Sequence, residues 1–337
     1  MTMTPPEKQQ AKKELIVFLV LTFAATYLLE LIGIGMYGSG VLSSRLMTIP
    51  MYIPAVSAIV CMVYFKSAAL TKEAKIFLAA FLIASAVSLI EGLYQPLLGT
   101  IGPIPVCTAV VSVGAFLVVV IQNLKKPWRE SLMPARLSFG RNYRYYLIIS
   151  VVFFVLFVAG LLFSYYTGLG LPTTGFDLST FTVFIGITLA FLLVTWPKYF
   201  GEEYGWRFYL QDRVLPLFGS FKGVLFIGII WGLWHLPLSL MGLNFAENLA
   251  LGNVLYLVWT VVIGIIFIYA VLKTGSIWIG VLLHGISDSL VSIGYLYIAN
   301  GQIIAVFLPV LVLMGIFASV LLRSRIWIDD STSTVTP

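Results

Sequence analysis

Ten runs of apolar residues, each about as long as a bilayer core is thick, alternate with shorter polar connections along this chain. They fall near residues 15–36, 50–65, 75–94, 102–122, 145–166, 179–199, 222–241, 251–272, 276–298 and 303–322. A helix rises about 1.5 Å per residue, so roughly 20 apolar residues cross the hydrocarbon region. The runs lack the two-residue alternation of barrel strands. Within a bilayer only helices and closed barrels satisfy their own backbone hydrogen bonds. The pattern therefore predicts an all-α polytopic membrane protein with about ten transmembrane helices.

Composition sharpens this reading. Hydrophobic residues make up 60% of the 337 and charged residues only 10%, where soluble domains carry about a quarter; the mean hydropathy is +1.01. The net charge of +6 does not point to nucleic acid, because the basic residues are scattered at helix ends, as topology signals are. With the N-terminus placed on the cytoplasmic side, all but one of the 20 lysines and arginines fall in inward segments, the exception being Arg45. Ten spans with both termini cytoplasmic satisfy that rule. The polar stretch Met1–Glu14, with Lys8, Lys12 and Lys13, precedes an apolar run too long for a cleaved signal peptide, so the first helix is expected to be retained. Cys61 and Cys107 lie in apolar runs without metal or disulfide spacing.

One long internal loop divides the chain. Residues 1–122 form an N-terminal four-helix region that offers few chemically suggestive residues, and Glu30 and Glu91 there read most simply as interfacial carboxylates. Residues 123–144 interleave Lys125, Lys126, Arg129, Arg136, Arg141 and Arg144 with aromatic and apolar residues, a pattern suited to lying on anionic headgroups. Residues 145–322 form a six-helix module, and 323–337 a polar tail.

The chemistry concentrates in that module. After the sixth run come Pro197, Lys198 and then Gly201-Glu202-Glu203-Tyr204-Gly205-Trp206-Arg207. The proline is expected to kink or end the helix, and the glycines permit close backbone approach. Glu203 and Arg207 are four apart on one helical face, which gives one carboxylate a charge partner, while Glu202 points about a quarter turn away. By position alone the plainer reading is a cytoplasmic helix end with solvated charges. The seventh run carries Trp231-Gly232-Leu233-Trp234-His235-Leu236-Pro237, and the ninth His284-Gly285-Ile286-Ser287-Asp288, with His284 and Asp288 four apart. Only two histidines exist in the chain. Each has a plain structural reading as a satisfied core or helix-stitching residue, yet both fall in helices that follow the paired glutamates, and the expectation is that these residues meet in one buried hydrolytic site.

Taken in order, Glu202-Glu203-x-x-x-Arg207, Trp231-x-x-x-His235 and His284-x-x-x-Asp288 resemble the three-motif signature of the CAAX-protease and bacteriocin-processing (CPBP or ABI) intramembrane protease superfamily, which includes the type II CAAX prenyl endopeptidase. The resemblance covers about residues 145–320. It implies that Glu202 acts as base on water, that His235 holds or activates that water, and that His284 with Asp288 stabilises the oxyanion. Glu203 and Arg207 are implied to fix the local structure, and Trp231 to pack where the family more often has phenylalanine. Asp288 stands where asparagine is common. An ionised aspartate cannot donate to an oxyanion, so it has a second role open to it, accepting an N–H of His284.

Two histidines with Glu202 or Asp288 would also supply the ligand number of a catalytic zinc, but no HExxH spacing is present. No nucleophile elbow is found, and neither cysteine neighbours a histidine by motif. The expectation is thus a metal-free glutamate mechanism with no cofactor, zinc being the rival. The expected partners are membrane lipids and a peptide or protein substrate, prenylated or otherwise membrane-bound. An ion-coupled transporter, or a non-catalytic scaffold or immunity protein on the same fold, are the alternative classes. Helical rise sets Glu202 near one helix end and both histidines near mid-membrane, so the sixth helix must extend past Pro197, or the seventh must begin outside the core, for the three to meet. A polar cavity open to the cytoplasm is expected there.

Overall fold

Each of the ten apolar runs is mainly helical over its described part, the seventh breaking at His235. The computed structural model describes residues 3–37, 46–98, 104–140, 142–169, 178–240, 248–297 and 303–327, and among them no strand occurs. In chain order the helices are α1 (Pro5–Tyr37), α2 (Ile53–Tyr64), α3 (Lys72–Leu98), α4 (Ile104–Leu124), α5 (Lys126–Leu132), α6 (Tyr143–Thr167), α7 (Leu178–Glu203), α8 (Gln211–Phe218), α9 (Ser220–Trp234), α10 (Leu236–Leu240), α11 (Leu249–Thr274), α12 (Trp278–Tyr297) and α13 (Ile303–Leu321). A 3-10 turn, Leu46–Tyr52, leads into α2, and a π-helical stretch, Tyr204–Leu210, joins α7 to α8.

Six of these are long and apolar enough to cross a membrane, or seven if the bent α7 pair counts as one span; Thr48–Tyr64, Ser220–Trp234 and Trp278–Gly294 are shorter apolar helices. The chain is an integral, multi-pass, all-α membrane protein. Arg45, the one basic residue of the outward loops, lies outside the described residues.

The sixth run differs from expectation at its end. Pro197 neither ends nor interrupts α7, which runs on to Glu203 and then widens into the π-helical stretch. Proline removes one backbone donor, but in a span the freed carbonyl can be satisfied by neighbouring groups. Extending α7 is what carries the paired glutamates inward.

Helices α2, α3 and α4 pack directly on this element, and α1 packs on α2 and α8 beside it. The 3-10 turn, α2, α4 and α12 all lie against α7. Gly201 and Gly205 make the close approach possible, since a Cβ on the first would meet the Met51–Tyr52 backbone and on the second the backbone of Pro54. Trp196 donates its Nε1–H to the Ser112 carbonyl of α4 at 3.0 Å and stands 5.4 Å, ring to ring, from Trp278 of α12. Phe77 and Phe81 of α3 close the same aromatic layer against Phe200. Ion pairs tie its far end, with Arg213 to Glu14 of α1 at 2.7 Å and Arg136 to Asp212 at 2.8 Å. In the loop 123–144, Leu132 and Leu137 are buried in the protein, while Lys125 stands over the Trp128 ring at 4.1 Å, and Lys126 and Arg129 stay exposed.

Gly205→Ala is expected to push α7 off α2 and to lower stability by about 1–3 kcal/mol, as overpacking does. A thermal unfolding midpoint in detergent equal to that of the wild type would show that the close approach is not needed.

Candidate active site

α7 supplies the carboxylates, α9 the tryptophan and first histidine, and α12 the second histidine and the aspartate. Glu202, Glu203 and Arg207 are fully buried, so the reading of solvated charges at a helix end is overturned. Its physical reason is the continuation of α7 into the π-helical stretch, which keeps this segment inside the bundle. Such stretches are rare and cluster at functional sites.

Glu203 is shared. Its Oε1 accepts from Arg207 Nη1 at 3.1 Å and from His284 Nδ1 at 2.8 Å. The pairing with Arg207 follows from the four-residue spacing, whereas the bond to His284, 81 residues on, had no local signal in the sequence. Arg207 also lays its guanidinium over the Trp231 ring at 3.9 Å, and Phe267 lies 5.2 Å away.

Trp231 does more than pack. Its Nε1–H donates to Glu202 Oε2 at 2.7 Å, which a phenylalanine cannot do. The Oε1 of Glu202 is buried without a hydrogen-bond partner among the described residues, and Glu202 lines the cavity described below.

His235 sits where α9 stops. Its backbone N–H bonds to Gly232 O at 3.2 Å, a tighter turn that leaves the Trp231 carbonyl free, as helix ends do. The ring takes up that carbonyl, Nδ1 to O being 2.9 Å. A carbonyl only accepts, so Nδ1 carries the hydrogen and the neutral ring presents a lone pair at Nε2. That atom lies 4.0 Å from Glu202 Oε2, too far for a direct hydrogen bond and suited to one bridging water. Trp234 and Tyr256 hold the ring, at centroid distances of 4.6 and 5.0 Å. Trp234 is itself fixed from α1, donating Nε1–H to Thr26 Oγ1 at 2.8 Å.

His284 and Asp288 share a face of α12, but Nε2 and Oδ1 are 3.7 Å apart, beyond a hydrogen bond. The hydrogen bond that orients His284 comes from Glu203 instead. Asp288 is more open, its side chain 39% exposed.

Glu202, His235, His284 and Asp288 all border one cavity of about 450 Å³. Its wall also includes residues that sequence reasoning did not single out for the site: Pro50 and Met51 from the first half of the chain, and Lys198, Tyr199 and Tyr256. Only spatial proximity, not local pattern, marks them. No group of three or more His, Cys, Asp and Glu side chains among the described residues is arranged to hold a metal ion.

The fold and this geometry define a helical membrane protein with a carboxylate–histidine site buried in its bundle. Residues 180–290, which supply every one of the motif residues, match the family model described as Type II CAAX prenyl endopeptidase Rce1-like. The match agrees with the family resemblance of the three motifs. No curated protein matches the chain.

Removing Glu203 leaves Arg207 as a buried cation without its carboxylate, so Glu203→Ala is expected to cost about 3–5 kcal/mol. Glu202→Gln keeps the shape and a hydrogen-bond acceptor and is expected to cost far less. Thermal unfolding of the two variants in one detergent checks this, and equal midpoints would contradict the assignment of Glu203 as the structural carboxylate.

Proposed function

We propose that the chain is an intramembrane endopeptidase in which Glu202 activates a water molecule for attack on a peptide bond. The observation that carries this reading is the 4.0 Å gap between Glu202 Oε2 and the lone-pair nitrogen of His235, where two acceptors face each other across the width of one water.

A water placed there donates one hydrogen to each acceptor and turns a lone pair towards the cavity. Glu202 takes a proton as the water oxygen bonds to the carbonyl carbon, and the carbonyl oxygen gains the negative charge. The charge forms beside the fully buried Glu202, inside a largely apolar bundle where fixed donors act strongly. The imidazolium form of His284, flanked by Glu203 and Asp288, presents Nε2–H to that oxyanion. When the tetrahedral intermediate collapses, the C–N bond breaks and the proton held by Glu202 passes to the departing amine. Asp288, an aspartate where a donor is commonly found, serves this scheme by stabilising the cationic form of His284 rather than by donating itself. No metal enters the scheme.

The family match supports a substrate class, as does the cavity wall, where Phe191, Leu192, Leu238, Trp259, Ile263 and Val291 border the same space as the polar groups. A membrane-associated polypeptide, prenylated or otherwise lipidated, suits a wall of that kind.

Detergent-purified protein assayed on quenched-fluorescent peptides, with and without a prenyl group, tests the proposal. Glu202→Gln is expected to lower turnover by about 10²–10⁴-fold, the usual weight of a general base, and a chelator to leave wild-type turnover intact. Turnover retained by Glu202→Gln, or lost on chelation and restored by zinc, would overturn it.

A further inference from the structure

The end of α9 at Trp234 leaves backbone carbonyls that need donors from outside the helix, and a buried carbonyl without one costs about as much as a lost hydrogen bond. The Trp231 carbonyl is served by the His235 ring, through Nδ1 at 2.9 Å. The Leu233 carbonyl has a different difficulty. Its helical donor four residues on would be Pro237, which has no N–H. Tyr27 of α1, 206 residues earlier in the chain, supplies the missing donor, its hydroxyl reaching Leu233 O at 2.7 Å. The adjacent Thr26, fully buried, accepts the indole N–H of Trp234 at 2.8 Å, and that indole stands edge-on to the His235 ring, 4.6 Å away and at 84°. Two consecutive residues of α1 thus grip the broken end of α9, one through its backbone and one through the ring that braces His235.

We propose that Thr26 and Tyr27 are positioning residues for His235, which makes α1 (Pro5–Tyr37) part of the working site although it lies outside the matched residues 180–290. For its kinetic consequence the inference rests on the hydrolytic reading of the site. The His235 N–H is directed at both Gly232 O and Leu233 O, and the Tyr27 hydroxyl decides how it is divided between them. Without that hydroxyl, Leu233 O draws the N–H towards itself, the backbone of residue 235 turns, and Nδ1 swings off the Trp231 carbonyl. The ring hydrogen is then no longer confined to Nδ1, and Nε2 is no longer fixed as the lone-pair atom 4.0 Å from Glu202 Oε2. Loss of the Thr26 oxygen acts on the same ring from its other side, by releasing the Trp234 indole that braces it.

The chain has only two histidines, so nitrogen NMR of full-length protein labelled at histidine reports both rings, and a His284→Gln sample tells them apart. In the wild type the His235 ring is expected as a single neutral tautomer with its hydrogen on Nδ1. Tyr27→Phe, which removes one oxygen, and Thr26→Val, which keeps the side-chain shape, are each expected to turn that signal into a mixture of both tautomers. On a quenched-fluorescent peptide that the wild type cleaves, each is expected to lower kcat by about tenfold or more, up to about 10²-fold, as a misplaced reacting group does, with KM unchanged. Thr26→Ser keeps the acceptor and is expected to match the wild type in both measurements. A His235 signal and a kcat unchanged in both Tyr27→Phe and Thr26→Val overturn the inference. So does a loss of activity that comes with a lower unfolding midpoint or a raised KM while the His235 signal stays as in the wild type, since α1 would then be a structural support alone. A wild type that cleaves no peptide, but whose His235 tautomer shifts in the two variants, would sink the hydrolytic reading and keep the positioning role.

Discussion

Two adjacent carboxylates removed from solvent inside an apolar bundle set the terms for the rest of this structure. Burying an uncompensated charge costs several kcal/mol even after relaxation, so partners must be brought from elsewhere in the chain. Glu203 receives Arg207 from its own helix and His284 from α12, and Glu202 receives the indole N–H of Trp231 from α9. Trp231 then joins the two halves of the arrangement, because its ring face carries the Arg207 guanidinium and its carbonyl fixes the tautomer of His235. A structural carboxylate and a reactive one thus sit side by side, distinguished by what each is bound to.

Satisfying these groups requires α7 to stay inside the protein well past the point where its sequence turns polar, and the first four helices provide the surroundings for that. Gly201 and Gly205 lie against the backbone around Met51 and Pro54, the Trp196 indole is fixed by Ser112, and Thr26 holds the tryptophan next to His235. Pro50 and Met51 reach the cavity wall itself. Stability and site geometry therefore share the same contacts.

Much of this was legible in the sequence. Apolar length located the main helices, although six or seven rather than ten of them are long and apolar enough to span, and the rarity of ionisable groups inside them singled out Glu202, Glu203, Arg207, His235, His284 and Asp288. The Glu203–Arg207 pair followed from a spacing of four. What stayed hidden depended on partners distant in sequence. The bond from His284 to Glu203 could not be inferred from the nearer and more obvious Asp288, and the donor role of Trp231 was concealed by reading that position as packing. The burial of the acidic stretch was obscured because Pro197 and a run of polar residues look locally like a helix end, while only the tertiary contacts of α7 show that the helix continues.

A water held between Glu202 and His235 is the centre of the proposed chemistry, and an experimental density map of the protein in a lipid nanodisc, at a resolution that shows ordered waters, is its sharpest test. One water within hydrogen-bond distance of both Glu202 Oε2 and His235 Nε2 is the predicted result. A metal ion at that place, or the two side chains more than about 10 Å apart and beyond any single-water bridge, would contradict it.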